Sequence, residues 1–177
     1  PDHPAATVAT FGQGTIAAKV DFDGGSTLFN GGALTMGDNT PAGVTFDGTM
    51  HVGTGTVTLL DSNGVGLGQL TELNGGTLAC ANQLVVNSIG PIQGHGDVQS
   101  PLLLINTGGL IMIRDPAGSA HCPNPPRVGC AGGALTMGAG SFYDCDLGLD
   151  FKGFHASDRV TSTGPLTLGG TLTVHLV

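Results

Sequence analysis

The chain has 177 residues, 40% of them hydrophobic, and 13 acidic against 5 basic residues give it a formal charge of −8. It is long enough to bury a sizeable core, so residues 1–177 read as one domain, and its 32 glycines lack the every-third-residue period of collagen. Sparse Lys and Arg exclude an electrostatic footprint for nucleic acid or anionic lipid, and no apolar run approaches the ~20 residues of a membrane helix.

No segment sustains the three-and-four apolar period of a helix, so the chain is predicted to be all-β. In order, the predicted strands are Thr15 to Phe22, Thr27 to Phe29, Ala33 to Met36, Val44 to Phe46, Thr49 to Val52, Thr56 to Leu60, Gln69 to Leu73, Thr77 to Cys80 and Gln83 to Asn87. Ile92, Leu102 to Ile105, Leu110 to Arg114, Ala134 to Met137, Ser141 to Leu147, Arg159 to Thr163, Leu166 to Leu168 and Thr171 to Leu176 follow. Gly, Asn, Asp and Pro fill the intervals, as turns require.

Five of the six double glycines, Gly31-Gly32, Gly75-Gly76, Gly108-Gly109, Gly132-Gly133 and Gly169-Gly170, each lead into alternating apolar residues. With the related Gly53-Thr54-Gly55 they mark out coils of about twenty residues, a usual solenoid period, which turns irregular after Gly75. Asn30 and Asn74 stand just before two of these pairs and Asn106 one residue earlier before a third, where a corner needs a residue tolerant of left-handed backbone. The expected fold is therefore a right-handed parallel β-solenoid, or β-helix, with irregular coils and a disulfide-bounded loop.

Gly132 to Leu147, then Ser157 to Val160 and Gly164 to Leu176, resemble the closing coils of secreted bacterial autotransporter-type β-strand repeat proteins, and Gly75 to Val86 resembles their inner repeats. The resemblance implies an extracellular β-helix that serves as a stalk, adhesin or matrix component. Four cysteines depart from that pattern. Their even number in an apparently exported chain favours disulfides, with Cys122 joined to Cys130 across a Pro-rich loop over 115–131, and Cys80 either joined to Cys145 or free with it. Zinc is the rival reading, but neither Cys-x-x-Cys nor paired-His spacing is present. Pro1 in place of Met is read as the terminus left by removal of a signal peptide.

Candidate chemistry is thin. Gly94-His95-Gly96-Asp97 resembles part of the β-helical polygalacturonase site, but the paired carboxylates of glycoside hydrolysis are missing, so the chain is read as no enzyme and His95 as a turn residue. Asp144, Asp146 and Asp150 alternate along a strand, as Asp21 and Asp23 do. A solvated acidic face suits both sets better than calcium. Pro1-Asp2-His3 has the spacing of an amino-terminal Cu(II) or Ni(II) site. Thr54, Thr56 and Thr58, with Thr171 and Thr173, form Thr-x-Thr patches that do not recur coil after coil, which weakens an ice-binding reading.

The expectation is a secreted structural protein that assembles head to tail with copies of itself into a filament or surface layer. Its assembly residues are Thr171, Leu172, Thr173, Val174, His175, Leu176 and Val177, in a strong strand with no capping helix. Residues 1–22, with the β-prone Ala5 to Val20, would form a capping strand or one donated to a neighbour. The alternative is an adhesin module that binds cell-surface glycans.

Overall fold

Alternating apolar and polar residues between glycine-marked turns form short strands, and each strand finds its partners one coil away. A computed structural model describes residues 8–113, 127–130, 134–147, 159–162 and 164–176. The chain winds in circuits of three strands. The first holds β1 (Val8–Phe11), β2 (Gly14–Ile16) and β3 (Val20–Phe22), and the second β4 (Thr27–Asn30), β5 (Ala33–Met36) and β6 (Val44–Phe46). The third holds β7 (Thr49–Val52), β8 (Thr56–Leu59) and β9 (Val65–Leu67). In the next two circuits a long strand crosses a corner unbroken: β10 (Thr71–Cys80) leads to β11 (Gln83–Val86), and β12 (Ile92–Gln99) to β13 (Leu102–Ile105). Then come β14 (Leu110–Ile113), β15 (Arg127–Cys130), β16 (Leu135–Met137), β17 (Phe142–Leu147), β18 (Arg159–Ser162), β19 (Leu166–Leu168) and β20 (Thr171–Leu176).

Three parallel faces result. The first stacks β1, β4, β7, β10, β12, β14, β17 and β20. The second stacks β2, β5 and β8 on the later halves of β10 and β12, then β15 and β18. The third stacks β3, β6, β9, β11, β13, β16 and β19. This is a parallel β-solenoid, with no helix among the described residues.

Stacking turns sequence alternation into continuous columns. On the first face Leu28, Met50, Thr71, Ile92, Ile111 and Tyr143 are successive register partners, and all are buried. On the third face Leu84, Leu103 and Leu135 form another such column. Each fully buried apolar side chain of this size stabilises the fold by roughly 1.5–3 kcal/mol.

Partners lie from 19 residues apart (Val8 to Thr27) to 24 apart (Val20 to Val44) through the early coils. Later intervals lengthen, to 32 between Leu110 and Phe142. In chain order the added residues, 114–126 and 148–158, each come between a first-face strand and a second-face strand.

The double glycines are not one position of one repeat. Gly31-Gly32 and Gly75-Gly76 stand between the first and second faces, whereas Gly108-Gly109 and Gly169-Gly170 stand between the third and first. Gly132-Gly133 lies outside the described residues. Their uneven spacing follows from marking different corners. At the first of these corners a spine of glycines stacks: a Cβ on Gly32, Gly55, Gly76 or Gly96 would fall on the carbonyl oxygen of Gly12, Gly32, Gly55 or Gly76 respectively.

The corner between the second and third faces is held by side chains instead. Asp61 is 1% exposed and accepts hydrogen bonds from the Val44 amide (3.0 Å) and the Asn63 amide (2.8 Å). Asn82 donates to the Asp61 carbonyl at 2.6 Å, and the Ser100 hydroxyl donates to the Leu102 carbonyl at 2.7 Å. Asp61→Ala removes the acceptor from two amides, one of them on the buried Val44, and is expected to cost about 2–4 kcal/mol, read as a thermal midpoint lower by roughly 10 °C.

Several sequence expectations are corrected. Thr15 to Phe22 is two strands, because residues 17–19 turn the corner from second to third face. Residues 8–22 form the first coil of the stack, with β1 paired to β4. Arg127–Cys130, expected within the 115–131 loop, is a second-face strand in register with β12 and β18. Val128 is the register partner of the buried Val98.

Candidate functional site

A solenoid buries its interior by laying one coil on the next, so the interior columns stand open at a terminal coil unless something covers them. In the last described coil, core positions of the first and third faces are half exposed. Leu135 and Met137 are 2% and 3% exposed, while their register partners Leu166 and Leu168 on β19 are 53% and 56% exposed. On the first face Tyr143 is 3% exposed and its partner Leu172 is 51% exposed. Val174, partner of Cys145, is also exposed. These four side chains occupy core positions with only one neighbouring coil. Among the described residues β19 and β20 end their faces, each paired along one edge.

The opposite end is more closed. Ala9, Phe11, Ile16, Val20 and Phe22 on the first coil are partly buried against the core, and the Phe22 ring stacks on Phe46 with centroids 4.9 Å apart.

Of the expected assembly residues, the structure places Leu172 and Val174 on interior columns and Thr171 and Thr173 at the alternate, outward positions of β20. His175 and Leu176 pair with Asp146 and Leu147, and Val177 lies outside the described residues. Sequence reading missed Leu166 and Leu168. Strand alternation marked them as apolar, but only the stacking order puts β19 beside β20 at the same end.

Cys80 does not pair with Cys145. It is a free thiol, 4% exposed, whose sulfur donates to the Gln83 carbonyl at 3.0 Å. Cys80 lies on the second-face half of β10 and Cys145 on the first-face strand β17 three coils further on, so the stacking alone separates them by more than about 14 Å, beyond the reach of a disulfide. Burial pushes the Cys80 thiol up from its usual range. Native protein is therefore expected to resist alkylation at Cys80 until it is unfolded; mass spectrometry that finds rapid native labelling there would contradict the packing. Cys130 lies on β15, and its expected partner Cys122 is outside the described residues.

The remaining candidates are dispersed. His95 lies within β12, in register with Asn74 and between glycines at the first-to-second-face corner. Asp144 and Asp146 sit two apart on β17, Asp21 is on β3 and Asp23 follows it, and Asp150 is outside the described residues. Near the second corner the Thr40 hydroxyl and amide bond Asp38 at 2.6 and 3.0 Å and hold its carboxyl below the usual carboxylate range. Pro1, Asp2 and His3 are outside the described residues. Among the described residues, no three His, Cys, Asp or Glu side chains gather where they would hold a metal ion. No described helix is long and apolar enough to cross a membrane. Thr56 and Thr77 are register partners on the second face, as are Thr35 and Thr58, but Asp97 and Ala79 continue those columns.

No protein family, curated protein or solved structure matches the chain.

Proposed function

We propose that this chain is the subunit of a structural homopolymer, in which the first coil of one copy seats on the open C-terminal end of the next. The observation that carries the proposal is the half exposure of Leu166, Leu168 and Leu172 at positions that are closed in the preceding coil. The register supports it. Continuing the columns across such a joint sets Ala9 over Leu172, Phe11 over Val174, Val20 over Leu166 and Phe22 over Leu168, so apolar meets apolar throughout. Parallel pairing would extend the ladders of β19 and β20 with the geometry used elsewhere in the chain. A head-to-tail contact of unlike ends does not close on itself and propagates as a filament. An extracellular, adhesive setting with a Cys122–Cys130 disulfide belongs to the same proposal and rests on the sequence, chiefly on the resemblance of its last quarter.

Electron microscopy and sedimentation velocity at near-neutral pH test this reading. Filaments whose length grows with protein concentration are expected. A monodisperse monomer at every concentration would overturn it.

A further inference from the structure

We propose that the filaments of this chain associate in pairs, side by side, through an apolar strip on the first face next to the third-to-first corner, a pairing that rests on the head-to-tail reading above. Ile89 and Phe142 are 69% and 46% exposed, and neither belongs to the joint between successive copies.

Register gathers their neighbours into one column. Leu110 is the partner of Phe142, and Pro91 precedes Ile92, the partner of Ile111, so Pro91, Leu110 and Phe142 follow one another on the outward side of three successive coils. Leu70 holds the same place one coil earlier, just before Thr71, the partner of Ile92. Leu70, Pro91 and Leu110 are partly exposed, and Ile89 stands at the corner two residues before Pro91.

The strip carries no charge. Between Glu72 and Arg114 the one charged residue is Asp97, which lies on the second face. Glu72 and Asp144 occupy the next outward column of the first face, two residues beyond Leu70 and Phe142.

These features fit a second copy of the chain. Molecules that each carry −8 approach closely where their carboxylates do not oppose one another. A two-fold axis along the filament sets strip against strip and turns the columns of Glu72 and Asp144 to opposite sides of the contact, and an isologous contact of this kind closes at two. Four coils at a spacing of ~4.8 Å, with a width of about 10 Å, give roughly 200 Å² per copy. A stable complex buries about 800 Å² per partner, so single subunits stay unpaired. Filaments of about four or more subunits repeat the contact along their length and reach that area.

Negative-stain electron microscopy of the wild-type chain and of a double variant, Ile89→Asp with Phe142→Asp, tests the pairing, with circular dichroism to confirm the fold. Wild-type filaments are expected in pairs of uniform width, and the variant's filaments singly and at unchanged length, because neither substitution touches the joint. Ile89→Asp alone, at the more exposed position, is expected to lower the paired fraction about two-fold or more and serves where the double variant does not fold. Wild-type filaments that stay single would overturn the pairing, give the strip to another occupant and leave the assembly reading standing. Pairs that persist in a folded variant, or broad bundles in place of pairs, would also overturn it. Absence of any filament would overturn the assembly reading and the pairing with it.

Discussion

Leu168→Asp is expected to abolish end-to-end association and leave the solenoid folded. In the single subunit Leu168 is 56% exposed, so the substitution should cost the fold about 1 kcal/mol or less. At the proposed joint the same carboxylate would sit on the interior column beneath Phe22, where an unpaired charge costs several kcal/mol. The association constant should fall about a thousand-fold or more, seen as loss of filaments and of concentration-dependent sedimentation. Leu172→Asp tests the first face in the same way. Filaments that survive both substitutions would place the joint elsewhere on the molecule. Copies carrying −8 repel one another, so wild-type assembly should strengthen as salt is raised.

Gly76→Ala should be among the most damaging small substitutions in the chain, and Gly31→Ala nearly silent, although both residues belong to double glycines. A Cβ on Gly76 would fall on the Gly53 and Gly55 carbonyl oxygens and come within 2.9 Å of Val52 Cγ1. Those carbonyls cannot yield without opening the coil, since the Gly55 oxygen accepts from Thr77 N at 2.8 Å. A Cβ on Gly31 would meet no atom within 4 Å, and its φ is not in the left-handed region. The expected loss is about 3 kcal/mol or more for Gly76→Ala, a thermal midpoint lower by roughly 10 °C, against no more than about 0.5 kcal/mol for Gly31→Ala. Equal midpoints for the two variants would show that the coils do not approach as closely as described.

The pair of variants also explains why the repeat was hard to phase from the chain alone. Asn-Gly-Gly followed by alternation marks any tight corner of a coil, because each needs backbone close to backbone. It does not say which corner. Gly75-Gly76 and Gly108-Gly109 look alike in sequence, yet one leads onto the second face and the other onto the first. Counting residues between them therefore measured no coil. Val65–Leu67 went unrecognised as a strand because Gly66, at its one outward position, breaks the run of β-favouring residues. The neighbours Phe29, His51 and Glu72 carried no signal at all. They are separated by a coil each along the chain and share a column only through the register of β4, β7 and β10.

The sequence by itself determined the all-β class, the coil-and-corner plan and most individual strands, since period-two alternation and glycine placement are local properties of the backbone. Ala33 to Met36, Val44 to Phe46, Leu102 to Ile105 and Leu166 to Leu168 lie where alternation put them. The tertiary structure alone decided which coil lies on which, and with it everything that depends on neighbours in space. It put Cys80 and Cys145 on different faces three coils apart, stacked Phe29 on His51, and gave Leu135 a coil on both sides but Leu166 a coil on one. Burial depends on what is stacked above and below, and that is a property of the whole stack that no single strand's sequence contains.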